Sequence, residues 1–140
     1  MKLVEVKKLF FDKAAVTSRL DPAKKRALSK FGAFVRQRSR TSMRTRPGAS
    51  APGSPPHAHT KKLRDAILFA YDPGNESVVI GPHRADKTGE GARVQEEGGV
   101  LRVGRVRGGR ALRYPARPYM RPAFLAELPR AAEQLKGVLR

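Results

Sequence analysis

The residue types that could carry chemistry are present in this chain, but few are spaced to use it. His57 and His59 stand two apart in a loop, and a His-x-His pair with no third ligand nearby is a weak metal signal. The chain has no cysteine, which excludes a thiolate metal site and a disulfide framework. Glu96 and Glu97 suggest an acid–base pair, yet neighbours on an extended strand point to opposite faces. The glycines around Gly108 and Gly109 lack the Gly-Lys-Ser/Thr ending and the following helix of a phosphate loop. With no nucleophile–base pattern either, the sequence predicts a protein that is not an enzyme and holds neither cofactor nor metal.

What the chain carries in quantity is positive charge, a formal +18 over 140 residues. Self-repulsion on that scale favours contact with something anionic: nucleic acid, an anionic membrane or an acidic protein surface. Charge alone does not choose among them. Arg26, Lys30, Arg36, Arg40 and Arg44 gather on one side of a predicted helix. Such a row is either a solvated face or a contact for DNA or an acidic partner.

The elements that must position these groups can be read in order. Leu3–Val6 reads as a short strand, and Asp12 as the cap of a short helix to about Arg19. Asp21-Pro22 then starts a second helix, carboxylate at the cap and proline at the first turn, running to about Arg46. Its apolar stripe is Leu20, Ala23, Ala27, Phe31, Phe34 and Val35, and it stops there because Gln37, Arg38 and Ser42 come next on that face. Residues 47–60 cannot be helix or sheet. Pro47, Pro52, Pro55, Pro56, His57 and His59 lie in an extended arm, long enough to expect that it crosses to a neighbouring subunit.

Lys62 to Asp65 reads as a turn of helix, and Ala66–Tyr71 as a buried strand. Asp72-Pro73-Gly74-Asn75 has the residues of a type II turn, and Ser77–Ile80 returns as the second strand. His83 to Gly91 reads as polar and flexible, and Gln95–Gly99 as a glycine turn or bulge. Val100–Val106 and Ala111–Tyr114 make a second hairpin across Arg107–Arg110. Next comes a strap, Arg117, Pro118, Tyr119, Met120, Arg121 and Pro122, whose prolines forbid helix through Pro118. It delivers Tyr119 and Met120 to one place, against the chain's own core or a neighbouring subunit. A terminal helix follows with Leu125, Leu128, Ala132, Leu135 and Leu139 as its stripe, and Pro129 is expected to kink or restart it.

The fold class expected is therefore α+β: a long N-terminal helix packed on a small antiparallel sheet of hairpins, with a C-terminal helix after a Pro-rich strap. Residues 1–140 are expected to form one domain. No stretch approaches the roughly 20 apolar residues of a membrane helix, and charge interrupts the first residues before any signal-peptide core develops. A soluble protein, intracellular when made and without a membrane partner, is the expectation.

Several of these stretches, taken in order, resemble the tail-completion or head–tail connector proteins of tailed bacteriophages, within the wider phage virion-morphogenesis group. The family ends in an Arg-Pro-aromatic-Met/Leu-Arg-Pro-Ala strap before a terminal helix, matched here by Arg117-Pro118-Tyr119-Met120-Arg121-Pro122-Ala123. Phe10-Phe11-Asp12, the segment from Arg46 to Thr60, Phe69 to Pro73 and Val79 to Pro82 match further motifs. Where the family often shows His-Glu-aromatic-Gly-Gly, this chain has Gln95-Glu96-Glu97-Gly98-Gly99, without the histidine and the aromatic. The resemblance implies a homo-oligomeric ring at the neck of the virion, made in the host cytoplasm. Its partners would be the portal or adaptor on one side and tail terminator or tail-tube proteins on the other, with packaged DNA in the channel. Two other readings stay open: a tail terminator ring, and a nucleic-acid-binding protein driven by charge alone, which would bind with a steep salt dependence.

Overall fold

The computed structural model describes residues 13–83, 90–103 and 109–138, with side chains from 21 to 137. Its elements are α1 (Lys13–Ser42), α2 (Lys62–Ala66), β1 (Ile67–Asp72), β2 (Ser77–Pro82), α3 (Glu90–Glu97), β3 (Gly99–Val103), β4 (Arg110–Tyr114) and α4 (Met120–Val138). The two hairpins form separate two-stranded antiparallel sheets, β1 with β2 and β3 with β4. Helix α1 packs on α4 and on the β1–β2 hairpin, and α3 packs on β3. The class is α+β, as expected.

Helix α1 is continuous where two helices were expected: Asp21-Pro22 does not start a new one, and Pro22 lies inside it. A proline removes only its own amide bond and crowds the preceding turn, so the ladder resumes on either side. The helix ends at Ser42, a turn before Arg46, where the chain bends at Met43 and leaves regular structure. Leu3–Val6 and the expected cap Asp12 lie outside the described residues, as do Leu139 and the tip of the second hairpin.

The buried stripe of α1 does not stop at Val35. It runs through Ala27, Phe31, Val35 and Ser39 to Met43 just past the helix end, one residue every four, with Val35 and Ser39 fully buried. Ser39 is small enough for α4 to come close, and its Oγ lies 3.2 Å from the sulfur of Met120. Gly32 does the same for the hairpin. A Cβ there would meet Val78 Cγ2 at 2.8 Å and Phe69 Cδ2 at 2.9 Å.

The buried face of α4 is not its leucine stripe. Ala123 and Glu127 are buried, while Leu125 and Leu128 are 56% and 45% exposed. Past Val35 helix α1 presents a serine and Arg38, and Glu127 takes the Arg38 guanidinium, with Arg130 3.4 Å from its other oxygen. The buried group is the Glu127 carboxylate, which needs these cations beside it, while Arg38 itself stays 46% exposed. Pro129 is accommodated inside a continuous helix.

In the first hairpin Ile67 pairs with Pro82 and Asp72 with Ser77. Only the face toward α1 is covered, so the strand expected to be buried leaves Leu68 and Val79 48% and 63% exposed. Its turn is not type II, because Gly74 stays outside the left-handed region and Glu76 enters it at φ 46°. The Asp72 carboxylate accepts from the Gly74 amide at 2.9 Å and from Asn75 Nδ2 at 2.7 Å. These bonds, the Asn75 side chain first, hold the Asp72 carboxyl below its usual range. Gln95–Glu97 is the end of helix α3, not a turn or strand, and Arg110 belongs to β4, paired with Val103.

The rotation of α4 is directly testable. Ala123→Leu should cost about 1–3 kcal/mol by overpacking the α1 contact. Leu128→Ser should change stability by under about 0.5 kcal/mol. Urea unfolding followed by circular dichroism reads both.

Candidate functional site

The strap is held by one carboxylate. Glu96, on α3, accepts the backbone amides of Tyr119 at 2.8 Å and Met120 at 3.0 Å through one oxygen, and that of Arg121 at 2.8 Å through the other. These are the amides at the start of α4, which have no partner within the helix, and the next residue, Pro122, has no amide to satisfy. A negative group at this end also complements the helix dipole. Sequence reasoning missed Glu96 because it placed the pair of glutamates on an extended segment. On α3 they diverge: Glu97 turns outward to Arg93 at 3.5 Å.

A signal for this was present. Glu-Glu-Gly-Gly is how a helix commonly ends, with glycine in the left-handed region. Gly98 has φ 76° and donates its amide to the Val94 carbonyl at 2.9 Å. A Cβ on Gly98 would lie 2.9 Å from the Ala116 nitrogen, so the strap runs across the helix end where only glycine fits. The Arg117 amide bonds the Gln95 carbonyl at 2.6 Å and continues this seam.

Clamped in this way, Tyr119 enters the core with 1% exposure, among Met43, Ala58 and Ile67. Its hydroxyl is 3.4 Å from the Ala92 carbonyl, and burial, then the nearby Glu96 charge, pushes the phenol well above its usual range. Met120 touches both clusters of the core, the one around Tyr119 and the one formed by Phe31, Val35 and Ala123. Pro118, Met120 and Arg121 line an open groove of about 780 Å³ between α1, β2, α3 and α4, and Arg121 and Pro122 are exposed.

The arm expected to cross to a neighbour is tied to its own chain. Gly53 donates to Ala116 at 2.8 Å, Ala58 to Arg44 at 3.0 Å, and Arg117 Nε to the Ser50 carbonyl at 2.9 Å. Pro56 is buried, Pro55 half-buried, and Pro47 and Pro52 exposed. His57 bonds the Gly48 carbonyl through Nδ1 at 3.0 Å, and its ring meets that of exposed His59 edge-on at 6.2 Å. The arm's length is thus used to join the end of α1 to the strap.

The expected basic row is also divided. Arg26, Lys30 and Arg44 are exposed, and Lys30 lies over the Phe34 ring at 6.0 Å. Arg36 donates to the Ile67 carbonyl at 2.9 Å, and Arg40 pairs with Asp65 at 3.0 Å. These two serve the fold by fixing α1 to β1 and α2.

No protein-family model, curated protein or solved structure matches this chain. No helix among the described residues is long and apolar enough to cross a membrane.

The buried phenol gives a pH prediction. An unfolded tyrosine loses its proton near pH 10, while folded Tyr119 retains it, so above that pH the unfolded state binds fewer protons and stability falls. The fall attributable to Tyr119 should reach up to about 1.4 kcal/mol per pH unit and be absent in Tyr119→Phe. Denaturant titrations of the two proteins between neutral and strongly alkaline pH measure the difference.

Proposed function

We propose that this chain is a structural subunit of a tailed-phage neck. Copies assemble as a ring that joins the portal or adaptor side of the head to the tail and extends the DNA channel. The subunit catalyses nothing. Its work is to hold shape and offer docking faces.

The observation that carries the reading is the apolar surface left uncovered. Phe124, Leu125 and Leu128 on α4 are 41%, 56% and 45% exposed, and Leu68 and Val79 on the outer face of the first hairpin are 48% and 63% exposed. Apolar groups clustered on two separate elements fit a subunit that gains burial from neighbours. Two different faces on one subunit are what head-to-tail contacts in a ring require. A clamped strap between them supports the same reading, since it fixes α4 relative to the hairpin before assembly. The order of motifs that resembles the connector family supplies the place, the virion neck, with synthesis in the host cytoplasm.

Quantitative mass spectrometry of purified, nuclease-treated particles tests it. The expected result is the copy number of one small ring, far below capsid and tail-tube proteins. Hundreds of copies would point to a tube or shell, and absence from the particle would overturn the proposal.

A further inference from the structure

At the C-terminal end of α1 a polar groove of about 570 Å³ is lined by Gln37, Arg40, Thr41, Arg44, Thr45 and Arg64, with Met43 behind them. Three of these are arginines, and one carboxylate meets them: Asp65 lies 3.0 Å from Arg40 and 3.7 Å from Arg64. That carboxylate holds both guanidinium groups in place, and each of the two side chains is 28% exposed. Arg44 is exposed and has no ion pair among the described residues. The bond from the Ala58 amide to the Arg44 carbonyl brings the later chain alongside, and Arg46, Lys61 and Lys62 there are all exposed. Among the described residues, the groove therefore sets the arginines Arg40, Arg44 and Arg64 against one ion-paired carboxylate, Asp65.

We propose that this groove binds the phosphodiester backbone of duplex DNA. Guanidinium groups present forked donors that match phosphate oxygens, and two of the three are already oriented, so less side-chain freedom is lost on binding. Gln37 adds a neutral donor at the same wall. The groove has no aromatic side chain, so it offers no platform on which unpaired bases could stack, and a duplex fits better than a single strand. Contacts of this kind go to the backbone and read no sequence. The carbonyl end of α1 opposes an anion, so the side chains, not the helix terminus, must supply the attraction. The row expected from sequence is replaced by a more local site: Arg26, Lys30 and Arg36 are not part of it. The neck reading supplies the DNA, but the chemistry of the groove stands without it.

Fluorescence anisotropy of a short mixed-sequence duplex, titrated with the full chain at several salt concentrations, tests the site. Each neutralised phosphate adds about 0.9 to the log–log salt slope, so Arg40→Gln/Arg44→Gln/Arg64→Gln should flatten it by about 2 to 3. Arg44→Gln alone, which breaks no ion pair, should flatten it by about 0.9. The control Arg93→Gln/Arg102→Gln/Arg113→Gln removes equal charge from exposed positions on α3, β3 and β4 and should change the slope by less than about 1. Equal flattening by both triple variants would overturn the site in favour of diffuse charge. Displacement of the duplex by polyglutamate at equal charge would overturn the phosphodiester assignment and point to an acidic protein. Presence in the particle without duplex binding would leave the neck reading standing and end this one, and the converse result would separate them the other way.

Discussion

One carboxylate fixes the start of α4, and much of the structure depends on it. The first four positions of a helix leave four amides without internal partners. Here the amide of Tyr119, just before α4, and those of Met120 and Arg121, its first two residues, converge on Glu96, and the next residue, Pro122, has none. Bonds to an ionised acceptor are worth roughly 1.5–3 kcal/mol each where they are sheltered, more than neutral ones. The clamp sets where the strap ends, and so where Tyr119 enters the core and where Met120 joins its two parts. It also fixes the strap segment to which the arm is bonded through Gly53 and Ser50.

The second constraint follows from what α1 offers beyond Val35. A buried serine calls for a small partner and an arginine at the edge of that face for an acidic one, and α4 provides Ala123 and Glu127. That choice turns the leucines outward. The chain therefore combines a large positive charge with apolar surface on α4 and on both hairpins, features that pull in opposite directions for a free monomer. Charge disfavours close approach of copies and apolar burial favours it, so salt, which screens the first and not the second, should control the balance.

The sequence made the local elements legible where one signal dominated. The β1–β2 hairpin followed from an apolar run, a Pro-Gly turn and a second apolar run, and the strap from Pro118 and Pro122 with Pro115 just before them. Reading failed where two signals competed. Asp21-Pro22 is a strong helix start, but the helix on both sides carries through it. The α4 leucines are a clear stripe, yet a buried stripe of mixed chemistry lies beside them, and only the partner helix decides between the two. Glu96 was hidden because its function depends on residues more than 20 positions away, joined to it by tertiary structure alone. The contacts of the arm within its own chain were hidden for a similar reason. Its composition correctly excludes helix and sheet but says nothing about which carbonyls will take its amides.

Amide hydrogen exchange at Tyr119, Met120 and Arg121, measured in the wild-type chain and in Glu96→Gln, tests the central claim most directly. All three amides should be protected nearly as well as the interior of α4, and the substitution should lower the protection of all three together. Exchange of these amides in the wild type at the rate of an unfolded chain, or no change on substitution, would contradict it.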